Sequence, residues 1–162
     1  MMLTRTLLAL LFSLTLLTAC AEAREPLPPL QDLQADANQS RKNGQPIVLF
    51  FYSHTCPYCR QVEQEYLQWV MKDNERQPRI LLRAVDIHAD AAVTNFDGSR
   101  TTMRAWARAQ GVRMVPHLRF VGPAGEVLAP DLIGVSIPDY YAGYLEEAIQ
   151  QAVKRLRATR GR

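Results

Sequence analysis

The order of apolar runs and helical periodicities in this 162-residue chain predicts an α/β domain. The expected architecture is a mixed central sheet of about four strands flanked by helices, with an extra helix in front. Three observations carry that expectation. Ile47-Val48-Leu49-Phe50-Phe51-Tyr52 is a short continuous apolar run, the pattern of a strand buried on both faces. Helix-spaced residues then lead to a second such run over 80–87, which makes a parallel β-α-β unit. Farther on, residues 117–121 and 126–129 flank the turn Gly122-Pro123-Ala124-Gly125, which reads as an antiparallel hairpin. The full order is β-α-β-α-β-β-α behind the extra helix, with no internal repeat and no second domain.

The N-terminus reads as a targeting segment outside that domain. Arg5 supplies a positive n-region, and residues 7–17 form a leucine-rich h-region too short for a comfortable membrane span. Leu17-Thr18-Ala19-Cys20 resembles a bacterial lipobox, in which Cys20 becomes the lipidated first residue. Ala21-Glu22-Ala23 also offers a site for ordinary signal cleavage after Ala23. Lipidation is favoured because the rare Cys20 ends the apolar run. No Asp follows Cys20, so in a bacterium with two membranes a lipoprotein sorting rule directs the chain to the outer one. The expected organisation is a signal peptide with lipobox over 1–20, a proline-rich linker over 21–30 and a domain over 31–162. The location is the periplasmic side of a membrane, lipid-anchored or, after cleavage at Ala23, soluble.

Within the domain each element has its own signal. Residues 30–42 can form a helix with Leu30, Leu33 and Ala37 on one side, ended by Asn43-Gly44 and Pro46. Cys59, Val62, Tyr66, Trp69 and Val70 recur at helical spacing behind the first strand. Residues 88–100 read as a polar loop with Asp97-Gly98 as its turn, and 101–110 as a helix stopped by Gly111. Ser136-Ile137-Pro138-Asp139 opens a last helix reaching about Arg157, with Ser at the cap and Asp near the positive end of the dipole. Trp69, Met103 and Trp106 are expected to be core residues.

Composition excludes some functions. The formal charge of +3 is small, and much of it lies in the tail at Lys154, Arg155, Arg157, Arg160 and Arg162. A basic tail can touch anionic lipid or nucleic acid, but a solvated helix end is the simpler reading. No basic patch is interleaved with aromatics, so no nucleic-acid partner is expected. A monomer is expected.

The chemistry lies in Cys56-Pro57-Tyr58-Cys59. With Cys20 lipidated or removed, Cys56 and Cys59 form the remaining pair. Two thiols three positions apart at a helix start can close and reopen a small disulfide ring. Unpaired backbone N–H groups at that helix end favour a Cys56 thiolate, the nucleophile of thiol–disulfide exchange. Pro57 suits the first helical position. Cys59, one turn in, is expected to be the resolving thiol. Half a zinc site is the alternative. It lacks a second C-x-x-C or H-x-H pair, so no metal and no cofactor is expected.

Residues 50–59, Phe-Phe-Tyr-Ser-His-Thr-Cys-Pro-Tyr-Cys, resemble the active-site strand and loop of the thioredoxin-like superfamily. Gly111-Val112-Arg113-Met114-Val115-Pro116 resembles the stretch before that family's cis-proline, and Gly125-Glu126-Val127 and Gly134 fall at its hairpin and late glycine. The resemblance implies a thioredoxin fold over about 47–153, a cis Pro116 packed against the Cys pair, and a Val115 backbone that pairs with substrate as an added strand. The Asp97-Gly98 insertion suggests the exported, SoxW-like subgroup. Phe50 stands where thioredoxins carry a buried Asp that takes the resolving thiol's proton, and Tyr52 and Thr55 replace two tryptophans. Pro57-Tyr58 is the dipeptide of glutaredoxins and some periplasmic disulfide proteins, and is expected to tune the potential.

Two histidines are further candidates. His54, two residues before Cys56, can stabilise the thiolate when protonated or act as base when neutral. His117 can face the sheet interior below the Cys pair as a substitute for the missing Asp, although a satisfied core histidine is the simpler reading. Tyr58 is expected to line the substrate surface.

Together these readings predict a protein-disulfide oxidoreductase acting on exported protein thiols and disulfides. A lone domain without the helical insertion of DsbA-like oxidases leans towards a reductase kept reduced by a membrane electron donor. A DsbA-like oxidase passing electrons to a membrane acceptor is the runner-up. A Cu(I) metallochaperone using the two thiolates and a histidine is the alternative from another class.

Overall fold

The computed structural model describes residues 26–135 and 137–160. The signal region, Cys20 and the predicted cap Ser136 lie outside the described residues. Helix α1 (Leu33–Asn43) starts at Asp32, whose carboxylate accepts from the Ala35 N–H, and ends at Gly44 in the left-handed region. Strand β1 (Ile47–Tyr52) follows. A continuous helical stretch then comprises α2 (Pro57–Gln61), a π-helical segment (Val62–Leu67) and α3 (Gln68–Arg76). Strand β2 (Leu81–Asp86) comes next, followed by β3 (Ala92–Thr94), β4 (Arg100–Thr102) and α4 (Met103–Ala109). The chain closes with β5 (His117–Val121), β6 (Val127–Ile133) and α5 (Pro138–Arg160).

The main sheet has the order β2-β1-β5-β6. β1 runs parallel to β2 and antiparallel to β5, which pairs antiparallel with β6, so the predicted mixed four-strand sheet is present. Both faces are buried because side chains alternate along each strand. On one face Val48, Phe50, Leu82, Ala84, Leu118 and Phe120 pack with Cys59, Val62 and Leu67 of the Cys helix and with Leu145, Ile149 and Leu156 of α5. On the other, Ile47, Leu49, Phe51, Leu81 and Val85 pack with Leu33 of α1 and with Met103 and Trp106 of α4.

Four local expectations are corrected. Trp69 is 67% exposed instead of packed. The π-helical segment is the cause: it inserts one residue per turn, so the buried positions run Cys59, Val62 and then Leu67, and the face carrying Trp69 rotates outward. The polar loop over 88–100 contains most of a two-stranded ribbon, β3 with β4. The final part of the linker is docked: Leu30 N–H donates to the Ala84 carbonyl and Ala84 N–H to the Pro28 carbonyl, with Leu27 and Leu30 buried. That pairing covers the open edge of β2 and moves the helix start to Leu33. The second hairpin strand reaches Ile133, well past 129. No helix among the described residues is long and apolar enough to cross a membrane.

Candidate redox site

The Cys pair sits where β1 leaves the sheet. Ser53 is buried and turns the chain: its hydroxyl bonds the Thr55 hydroxyl at 3.0 Å, and its carbonyl accepts from the Cys56 N–H at 3.1 Å. Cys56 is thereby held in extended conformation as the N-cap of α2, with Pro57 at the first helical position. Cys56 and Cys59 form a disulfide with 5.2 Å between their Cα atoms. The Cys59 backbone N–H donates to Cys56 Sγ at 3.0 Å. After reduction that donor and the helix end face the outer sulfur, where they stabilise its anion. Cys59 is 1% exposed, while Cys56 is half-buried and faces the rim. This asymmetry suits attack at Cys56 and resolution by Cys59.

The Val115–Pro116 peptide bond is cis and lies across from the pair. Cys56 Sγ is 3.8 Å from the Val115 carbonyl oxygen. Exposed Tyr58 and Met114 border the site on its two sides, one from the C-x-x-C turn and one from the loop before Pro116.

The family described as "Thioredoxin-like domain" matches residues 33–149. The chain belongs to this thioredoxin-like family. The mitochondrial thioredoxin 3 of Saccharomyces cerevisiae, in its oxidized form, is similar at 20% identity and a TM-score of 0.50, over 76% of this chain and 93% of that one. The thioredoxin of Fasciola hepatica is similar at 19% identity and a TM-score of 0.51, over 77% of this chain and 98% of that one. At such identities the likeness shows the thioredoxin fold. A search of curated proteins found no match. Family membership and the Cys56–Cys59 disulfide together support thiol–disulfide exchange as the general chemistry of this thioredoxin-like chain.

Beneath the pair, Phe50 is 1% exposed and stacks on Tyr52 with ring centroids 5.6 Å apart. The floor under Cys59 is therefore aromatic, without a carboxylate on β1. His117 does not replace one. It is paired across the ladder with Phe51, so alternation turns it to the opposite sheet face from Phe50. There its Nε2 lies 2.7 Å from Asp131 Oδ2, which also accepts from Arg119 at 2.8 Å. Burial raises the pKa of Asp131, but the bonds from His117 and Arg119 outweigh it and leave the carboxyl below its usual range.

His54 is an exposed rim residue. Its ring stands edge-on to Tyr52 at 5.2 Å, and its Nε2 lies 3.3 Å from Asp86 Oδ2. Tyr52 has its pKa raised, first by burial, then by the negative charge of Asp86 and Glu63. Sequence reasoning missed Ser53 as the residue that shapes the turn and Asp86 as the partner of His54. The Asp86 position at the end of the second apolar run was the available signal. No group of three or more His, Cys, Asp or Glu side chains among the described residues is placed to hold a metal ion.

Proposed function

We propose that the chain is a thiol–disulfide oxidoreductase for exported protein substrates, working as a reductase. The supporting observation is the asymmetric disulfide beside the Val115 carbonyl, with Cys56 at the rim and Cys59 buried. In the reduced protein, the Cys56 thiolate attacks one sulfur of a substrate disulfide, and the other leaves as a thiolate that takes a proton. Cys59, losing its proton, then attacks Cys56 Sγ. The second substrate thiolate departs and Cys56–Cys59 closes, so two electrons have passed to the substrate. A membrane electron donor restores the dithiol. Lipidation at Cys20 would tether the domain at the periplasmic side of a membrane, the outer one by the sorting rule.

The reductase direction is supported by what lies between β2 and β5: a short ribbon and the seven-residue helix α4, without a helical insertion. Equilibration with a glutathione series tests it. The expected midpoint lies towards the thioredoxin end of the range, about −270 mV, and a midpoint near the DsbA value of about −120 mV would sink the reductase reading. Cys59→Ser in the same protein should leave substrates stalled as mixed disulfides on Cys56, recoverable as reducible adducts.

A further inference from the structure

We propose that the pole of the domain opposite the disulfide docks onto anionic phospholipid headgroups and so holds the Cys pair facing away from a membrane. The membrane in question rests on the tethered, exported reading above. A groove of about 360 Å³ opens there, lined by Arg79, Gln150, Val153, Lys154 and Arg157. Arg79 is held by carboxylates, 2.6 Å from Glu146 and 2.9 Å from Asp73, and Gln150 donates to the same Glu146. Lys154 and Arg157 lie three residues apart on one face of α5, both exposed. Among the described residues neither makes a hydrogen bond or ion pair. Arg79, Lys154 and Arg157 face two carboxylates, Asp73 and Glu146, so the groove is left with a net positive charge, carried by Lys154 and Arg157, beside the apolar side chain of Val153. That combination fits a phosphate headgroup with its glycerol and upper acyl carbons.

The topology puts this groove far from the chemistry. β1 and β2 pair from Ile47↔Leu81 at this pole to Tyr52↔Asp86 at the other, five residues or about 17 Å away at ~3.3 Å per residue. The C-terminal end of α5 arrives at the same pole, where Arg160 reaches the Lys42 carbonyl just before β1. Arg41 and Lys42, in the last turn of α1, add to the positive end.

The chain also enters the domain here. Pro29 pairs parallel with Ala84. Stepping back along that register sets Leu27 beside Leu82, towards the Ile47–Leu81 end of the sheet. Seven Cα-to-Cα steps join Cys20 to Leu27. They span at most about 25 Å when extended, so an anchor at Cys20 holds Leu27 and this pole within that reach of the bilayer, and the basic groove then sets which pole faces it.

Vesicle co-sedimentation of the mature protein tests the proposal, with phosphatidylcholine vesicles compared against vesicles that also contain phosphatidylglycerol. Extra binding to the anionic vesicles is expected, weakening with salt. Lys154→Glu/Arg157→Glu should cut that extra binding at least tenfold, and Lys154→Gln/Arg157→Gln by less. An unchanged Tm shows that the variants are folded. A lipidated chain binds both vesicle types through its acyl chains. Failure of the tether reading therefore removes binding to neutral vesicles and leaves the difference between the two intact. Equal binding to both vesicle types by the Cys20→Ala chain, which carries no acyl anchor, overturns the proposal, as does extra binding that survives the charge reversal. Inorganic phosphate that saturates the groove without vesicles would make it a free-anion site and overturn it as well.

Discussion

The two faces of the central sheet are built from the same strands but handle charge in opposite ways. Under the disulfide, the strands contribute Val48, Phe50, Leu82, Ala84, Leu118 and Phe120, all apolar. On the far face the same strands place Arg83 against Asp36, and β5 and β6 place His117 and Arg119 against Asp131. A charged group at the inner face of a redox pair shifts the energies of both thiolates. A charged group on the far face is separated from them by the sheet. The chain thus keeps its buried ion pairs as structural elements and leaves the disulfide on an uncharged floor. The proton of Cys59 then has to leave through the rim or through water, since neither Phe50 nor His117 can receive it.

The largest expected effect comes from introducing a charge on the redox face. Phe50→Asp removes a fully buried ring, which alone costs about 3–5 kcal/mol. It also leaves a carboxyl without a strand partner, which burial drives towards the neutral form. A destabilisation of at least ~4 kcal/mol is predicted, read from the urea unfolding midpoint. A loss below about 1 kcal/mol would mean that water already reaches this face, and the contrast between the faces would fail.

The converse change on the far face should cost stability and leave the redox pair alone. Asp131→Ala leaves Arg119 and His117 without their common acceptor. Breaking a buried pair from one side costs about 3–5 kcal/mol, and the partial exposure of Asp131 reduces that to roughly 2–3 kcal/mol. The pH dependence has a definite sign. The folded-state pKa of Asp131 lies below its usual 3.8. Its stabilisation is therefore complete above the unfolded value and is lost as pH falls through the folded one. Acid unfolding should accordingly lose part of its slope in the variant. The glutathione equilibrium of Cys56–Cys59 should match that of the parent protein. A shifted equilibrium would mean that charge is felt through the sheet.

Which residues form each face was legible where alternation and turn chemistry acted alone. Residues 47–52, the hairpin turn and the cysteines at a helix start all followed from short-range rules, and the structure has them. Legibility failed where one element reset another. The face of Trp69 depended on the single-residue slip of the π-helical segment, which no local pattern announces. Leu27 reads as part of a linker and Leu30 as the first residue of a helix, because their docking depends on the open edge of β2, more than fifty residues away in sequence. His117 is the satisfied core histidine that the sequence favours, while its adjacency to Pro116 by itself leaves open a place below the Cys pair. The ladder register with Phe51, a tertiary fact, decided the face. The ribbon over 92–102 was hidden because, of its two three-residue strands, only Val93 is buried, too little for an alternating pattern.

The smallest effect is predicted at the rim, where the two faces meet solvent and His54 stands closest in sequence to the nucleophile. His54 contacts Asp86 at 3.3 Å, but its side chain is 77% exposed. Water competes for such a pair, and exposed ion pairs contribute at most about 1 kcal/mol. Its ring stands edge-on to Tyr52, and among the described residues its ion-pair partner is Asp86. His54→Gln should therefore change the rate of insulin reduction at pH 7 by less than about fivefold. Loss of a general base would cost 10²–10⁴-fold. A hundredfold loss, with a pH profile flattened between 6 and 8, would make His54 the missing proton acceptor. It would also move the site's acid–base chemistry from solvent to the rim. A small change leaves water as the acceptor, consistent with an aromatic floor and a resolving thiol one turn below the surface.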